Sequence, residues 1–334
     1  MAKSETGTQL LARLGARPSL SGLESALFGS EPVSGSVYEF YGGEGTGKTE
    51  MTLHLTAKCI LPESWHDVPL GGKDTGVIVV DTEYKFPVFR LAVILEHRIK
   101  AAMEKSSIVA SAAAKEETKS KSFGCTENGN TNLGQNVDAF SEEDIERFIQ
   151  NCLRNLHILQ CGSSFQFLMS MCSLESLISN NPNISMIVID TISAYYWVEK
   201  CQVPDGQQAM DSVMKPIISV LSDYVRDYNT VVLCVKSALC VHRSSQKSGQ
   251  RSKGDNSPHP DSSVQSASSL SRELNASDHF EFLGKLWNKF VTKRFTFTQS
   301  AVSTGQDFSV TASKEGQTTK VKFKIFDSGI YFIP

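Results

Sequence analysis

Gly42-Gly43-Glu44-Gly45-Thr46-Gly47-Lys48-Thr49 fits the pattern G-x-x-x-x-G-K-[ST] at every position. The residues before it, Ser36 to Tyr41, alternate apolar and polar in the manner of a strand, with Val37 and Phe40 apolar. Those after it place Met51, Leu55 and Cys59 on one side of a helix that Pro62 stops. Strand, glycine loop and helix in this order predict a phosphate-binding loop for a nucleoside triphosphate. Glycines let backbone N–H groups turn inward around phosphate oxygens. The start of the following helix aims its positive dipole end and free N–H groups at the same anion. Gly42, Gly43, Glu44, Gly45, Thr46 and Gly47 are thus the expected cradle. Lys48 supplies the cation for the β- and γ-phosphates, and the Thr49 hydroxyl can coordinate Mg²⁺. A nucleoside triphosphate with Mg²⁺ is the expected ligand.

Two further carboxylates extend the site. Ile184 to Ile189 is an apolar strand that ends on Asp190, where an acid can hold the Mg²⁺ shell. Val77 to Val80 is a second buried strand, closed by Asp81-Thr82-Glu83. Glu83 then sits at a carboxyl strand end, where open α/β sheets bind ligands, and can orient a water for attack on the γ-phosphate.

The rest of the chain is consistent with one α/β unit. Helices are expected at Phe89–Ile99, Glu142–Leu153, Phe165–Leu177 and Val213–Tyr228. Strands are expected at Leu156–Leu159 and Val231–Val235. This alternation predicts a doubly wound, mostly parallel sheet. Val310–Ala312, Lys320–Phe326 and Ile330–Ile333 read as a C-terminal antiparallel β-meander. Residues 101–139 are rich in Ala, Lys, Ser, Glu, Gly and Asn and read as a disordered insertion; residues 241–271 read as a second, Ser-rich low-complexity loop. Residues 1–35 read as a short amphipathic helix, with Leu10, Leu11 and Leu14 on one face, followed by a Gly/Ser/Pro-rich linker; residues 36–334 form the nucleotide-binding core. A leucine face detached from a core suits a partner protein.

Composition sets the outer limits. The 334 residues include 40% hydrophobic residues, enough for a core, and carry a formal charge of −3. Contact with nucleic acid therefore needs a local basic patch. The eight cysteines include no C-x-x-C pair and read as reduced thiols. The seven histidines show no metal-ligand spacing. Met1 to Glu5 leads into no apolar run, so neither a secretory leader nor a membrane partner is expected.

With Lys48, Asp81-Thr82-Glu83 and Asp190 placed, the chain resembles the ATPase core of the RecA/Rad recombinase family. The helix Leu53 to Pro62 and the segment Leu286-Trp287 to Phe295 share in the likeness. Within the family the finer match is to a eukaryotic paralogue. It rests on Gly7 to Leu14, Gly45 to Met51, Leu95-Glu96-His97-Arg98 and Ser193-Ala194-Tyr195-Tyr196-Trp197. The resemblance implies a RecA-like fold and a nuclear protein of homologous-recombination repair. Such a protein assembles with other Rad paralogues in a hetero-oligomer on single-stranded or branched DNA, and promotes recombinase filament formation. DNA-facing loops are then expected from Tyr195 to about Asp211, with Tyr195, Tyr196, Trp197 and Lys200, and over 241–271, with His242, Arg243, Lys247, Arg251 and Lys253. The chain departs from the family at two places. Met1 to Tyr41 is short for the family's N-terminal helical domain. Where the recombinases carry a Gln that reads the γ-phosphate, this sequence has Val235-Lys236-Ser237-Ala238. Strand exchange by this chain alone is therefore not expected, and hydrolysis is expected to be slow because an arginine finger must come from a neighbour. A P-loop motor and a small-molecule phosphoryl-transfer enzyme are the alternatives.

Overall fold

The computed structural model describes residues 6–29, 33–120, 141–202, 207–238, 281–299, 307–314 and 317–333. Its strands are Val37–Gly42 (β1), Ser64–Trp65 (β2), Val68–Pro69 (β3), Gly76–Asp81 (β4), Leu156–Gln160 (β5), Ile184–Asp190 (β6), Val231–Ser237 (β7), Lys293–Gln299 (β8), Asp307–Lys314 (β9), Gln317–Phe326 (β10) and Gly329–Ile333 (β11). Its helices are Gly7–Leu14 (α1), Ser25–Phe28 (α2), Lys48–Ile60 (α3), Val88–Ser120 (α4), Glu142–Leu153 (α5), Ser164–Asn180 (α6), Tyr196–Gln202 (α7), Gln207–Tyr228 (α8) and Lys285–Phe290 (α9).

One sheet organises the chain, in the order β11-β10-β9-β8-β1-β7-β6-β4-β5. From β5 to β8 every neighbouring pair is parallel; from β8 to β11 every pair is antiparallel. The expected parallel sheet with a terminal meander is therefore the architecture found. Period-2 alternation sends side chains to two separate cores. Tyr38, Phe40, Val77, Val79, Met186, Val188, Leu233, Phe295 and Phe297 pack with α3, α4 and α5. Val37, Tyr41, Ile78, Val80, Ile187, Ile189, Val232 and Cys234 pack with α6, α8 and α9. A strand buried on both faces has to be nearly continuous in apolar residues, as β4 and β6 are. Among the described residues, no helix is long and apolar enough to cross a membrane.

The expected insertion at 101–139 begins differently. The helix predicted over Phe89–Ile99 runs on as α4 to Ser120. Its extension is rich in Ala, Lys and Glu, which are strong helix formers, and low sequence complexity masked that propensity. The remainder of that insertion and the whole loop 241–271 lie outside the described residues.

The expected linker is also more than a linker. Leu20, Leu23, Leu27, Phe28 and Val33 are buried in the core shared by α3 and the meander. Arg17 fixes the entry to this segment: its guanidinium donates to the carbonyls of Ile178 (3.0 Å) and Ile184 (2.8 Å) and lies over the Tyr228 ring. α1 itself forms where expected and lies against α6 and α8, while Leu11 and Leu14 stay 73% and 70% exposed.

Glu24 is the centre of a buried polar cluster that joins three helices. Its carboxylate accepts from Ala26 N at the start of α2, from Lys58 Nζ (2.7 Å) and from His54 Nε2 (2.7 Å). Arg98 donates to His54 Nδ1 at 2.7 Å. A guanidinium can only donate, so His54 must be the neutral Nε2–H tautomer. Burial pushes His54 down to about 4, with Arg98 adding to the shift and the Glu24 hydrogen bond opposing it. Burial alone would raise Glu24, but the hydrogen bonds from His54 and Lys58 and the Lys58 charge hold it at about 2. Both depressed values mean that the unfolded chain takes up protons first, so both contributions shrink on acidification. The His54 contribution is complete above about 6.5 and is lost as pH falls through about 4; the Glu24 contribution fades between about 4.5 and about 2. The His54 part amounts to about 3 kcal/mol. Thermal melts from pH 7 to pH 4 are expected to show this loss, and His54→Gln should flatten that limb. An equally steep limb in the variant would refute the assignment.

Candidate nucleotide site

The phosphate loop leaves the carboxyl end of β1, which lies between β7 and β8. Its geometry depends on glycine at two places. A Cβ on Gly42 would lie 2.6 Å from the Phe297 carbonyl oxygen. Gly47 has φ +89° at the N-terminus of α3, and a Cβ there would press on the Phe323 ring at 3.1 Å. Thr46 Oγ1 donates to the Gly43 carbonyl at 2.9 Å and closes the turn. The loop is thus a shaped, glycine-rich cradle at a helix N-terminus, which suits a phosphate.

Lys48 lies at its centre. Its side chain is buried, and Nζ donates to the carbonyls of Gly42 (2.9 Å) and Gly43 (2.5 Å). Burial lowers its affinity for a proton, while the charges of Asp190, Glu44 and Glu83 work the other way. Thr49, the next residue, is exposed.

The two predicted carboxylates converge on the same edge. β4 and β6 are parallel neighbours with Asp81 opposite Asp190. Thr82 locks the strand ends together: its hydroxyl donates to the Thr191 carbonyl (2.9 Å) and accepts from Thr191 N (2.7 Å), and Thr82 N donates to the Asp190 carbonyl (2.9 Å). Burial, reinforced by the charges of Glu83 and Asp81 and offset by Lys48, raises the Asp190 carboxyl to about 6. Such a group gains from a cation beside it. Glu83 is 40% exposed and touches Lys85 at 3.3 Å. Among the described residues, no three His, Cys, Asp or Glu side chains converge enough to hold a metal unaided. A cation here would rest on Thr49, Asp190 and the oxygens of a bound phosphate, a set of hard oxygen ligands that fits Mg²⁺.

Asp81 and Arg90 shape the site although the sequence predicts no role for either. Asp81 is buried, and its carboxylate accepts the N–H groups of Glu83 (3.1 Å), Lys85 (3.2 Å) and Phe86 (3.0 Å), which fixes the turn that presents Glu83. An acid ahead of a strand-to-helix turn was the available sign. Arg90 grips Glu50 through two hydrogen bonds of 3.1 Å and also donates to the carbonyls of Phe326 and Asp327, joining α3 and α4 to the β10–β11 turn. The aromatic triplet divides. Tyr195 donates to the carbonyls of Cys161 and Thr82, Tyr196 is buried against Phe282, and Trp197 alone of the three is open, at 59% exposure. The expected loop there begins as a helix, α7.

Asp81→Asn keeps the shape but leaves an amide N–H₂ facing backbone donors. A cost of about 1–3 kcal/mol is expected, read as a lower denaturation midpoint. Unchanged stability would remove Asp81 from the site's framework.

No protein-family model matches the chain. Curated proteins do. The chain is 28% identical to the DNA repair protein XRCC2 of Mus musculus over 334 residues, which cover 99% of this chain and 98% of that one. It is 22% identical to the DNA repair protein XRCC2 homolog of Arabidopsis thaliana over 312 residues, 82% of this chain and 72% of that protein. Over 79 residues, 24% of this chain and 21% of the other, it is 38% identical to the DNA repair protein RAD51 homolog 2 of Mus musculus. The mouse XRCC2 likeness runs over nearly the whole of both chains, and the fold carries a glycine-rich loop, an acid-ended strand and a terminal meander in the order the sequence predicts. The chain is homologous to these DNA repair proteins.

Proposed function

We propose that this chain binds Mg²⁺–ATP in the loop Gly42–Thr49 and serves as a recombinase paralogue in homologous-recombination repair of DNA double-strand breaks, in the nucleus. It assembles with other Rad-type paralogues in a hetero-oligomer and promotes recombinase filament formation on single-stranded DNA. The observation that carries the nucleotide part is the buried Lys48 ammonium, held by two loop carbonyls and flanked by Asp190 and Glu83. Full-length similarity to a protein named for DNA repair supports the biological part.

Each residue has a role in this reading. Lys48 exchanges its two carbonyl partners for phosphate oxygens, stronger acceptors because they are charged. The N–H groups at the start of α3 bind the same phosphates. Thr49 and Asp190 hold Mg²⁺, which neutralises phosphate charge when bound. Glu83 orients a water. Thr49 and Glu83 both face solvent, so the outer side of the site is left for a neighbouring chain to cover. The exposed leucines of α1 offer a docking surface, and Trp197 is the aromatic free to stack on a base.

Lys48→Ala is expected to weaken ATP binding roughly 100-fold, equivalent to about 3 kcal/mol. Asp190→Asn should remove the Mg²⁺ dependence of binding. Purified with candidate Rad paralogues, the wild-type chain should enter a stable complex. Wild-type affinity in Lys48→Ala refutes the nucleotide site. A partner-free monomer with full DNA-stimulated ATPase activity refutes the mediator role in favour of a motor.

A further inference from the structure

Four charged side chains meet in the otherwise apolar core under α9. Lys236 on β7 is fully buried, and its Nζ is 2.9 Å from each carboxylate oxygen of Glu281 and 3.7 Å from Glu39. Glu39 on β1 is also fully buried and accepts from Arg294 Nε and from Trp287 Nε1 (2.5 Å). Arg294 completes the ring with a 3.0 Å contact to Glu281. The Phe282 ring lies 4.5 Å from Lys236 Nζ. The network holds two cations and two anions: Lys236, Glu39 and Arg294 sit on β7, β1 and β8, the strands around the loop, and Glu281 precedes α9.

Its position in the register gives it a consequence. Tyr41 lies opposite Lys236, and Gly42 opposite Ser237. One residue further on, Ala238 N donates to the Gly42 carbonyl at 2.9 Å. That oxygen also holds Lys48 Nζ. Ser237 N is tied in turn to Ser193 Oγ at 3.1 Å, beyond the end of β6. The backbone of Ser237 and Ala238 therefore braces the first residue of the loop, and the Lys236 ion pairs fix where that backbone lies.

We infer that Lys236 is a positioning residue for the phosphate loop, acting through Ala238 N on the Gly42 carbonyl. This inference rests on the proposed nucleotide site. Lys236 lies at the segment where the γ-phosphate would be read, yet its ammonium is turned into the core and held by Glu281 and Glu39. It braces the cradle as a whole and does not distinguish a triphosphate from a diphosphate.

The test is binding of Mg²⁺–ATP and Mg²⁺–ADP to the full chain, measured well below the melting temperature. Lys236→Met should weaken both nucleotides by the same factor, roughly 10-fold, as is usual for residues supporting a ligand shell. Because the single variant leaves the buried Glu39 and the part-buried Glu281 sharing one cation, Lys236→Met with Glu281→Gln is measured alongside; it retains the Glu39–Arg294 pair and should show the same equal loss. Wild-type affinities in the folded double variant, with only the melting temperature lowered, would overturn the inference and leave a purely structural network. A loss confined to ATP would also overturn it, since Lys236 would then be reading the γ-phosphate. If the wild-type chain binds neither nucleotide, the nucleotide site itself falls and this inference with it.

Discussion

A buried ammonium group must be given oxygen atoms, and the structure around Lys48 follows from that requirement. The oxygens are the carbonyls of Gly42 and Gly43, so the backbone there has to curl toward its own lysine. That curl is available only where side chains are absent; the Phe297 carbonyl stands where a Gly42 Cβ would go. Gly42 is thus wedged between β8 on one side and the Ala238 N–H on the other. The parallel arrangement then brings the carboxyl ends of β4 and β6 to the same edge, and two acids arrive beside the cation from strands far apart in sequence.

Burying charge in this sheet is costly, and the chain does it on both faces. Glu24, His54, Lys58 and Arg98 lie on one side, and Glu39, Lys236, Glu281 and Arg294 on the other. An apolar replacement of such a cluster is often as stable or more so. What ion pairs add is a unique fit: a Leu tolerates slippage, whereas a carboxylate between two cations does not. Both clusters join elements remote in sequence. Glu24 attaches the N-terminal segment to α3, and Glu281 attaches the residues preceding α9 to β7. The second cluster also reaches Glu39 on β1, the strand that leads into the glycine-rich loop.

The motif, the acid-ended strands and the alternation were legible because each has a local cause. Gly42 to Thr49 reads as a cradle from residue types alone, and β4 and β6 read as buried strands from their apolar runs. Features built from distant residues were not legible. Glu24 looks like an exposed acid in a Gly/Ser/Pro-rich stretch until His54 and Lys58 arrive from α3. Lys236 looks like a surface residue at a strand end until Glu281 reaches it across 45 positions. Helix continuation beyond Ile99 was hidden for another reason: low complexity and helix propensity coexist in an Ala/Lys/Glu-rich segment. The aromatic triplet after β6 shows the limit of composition, since three adjacent rings take three environments: hydrogen-bonded, buried and open.

A site that exposes Thr49 and Glu83 is poorly arranged to exclude water, and water exclusion strengthens every electrostatic interaction used in phosphoryl transfer. It is well arranged to bind. On the proposed reading, a nucleotide bridges the start of α3 and the ends of β1 and β6, and any ligand that binds only the folded state stabilises it by mass action, about 2.7 kcal/mol at one hundred times its dissociation constant. That energy falls on the strands that the Lys236 network already braces. The same exposed edge is the surface a second chain would cover, so binding and assembly draw on one set of contacts. On that reading the chain's own residues hold the phosphates from within, and completing the outer wall is left to a partner.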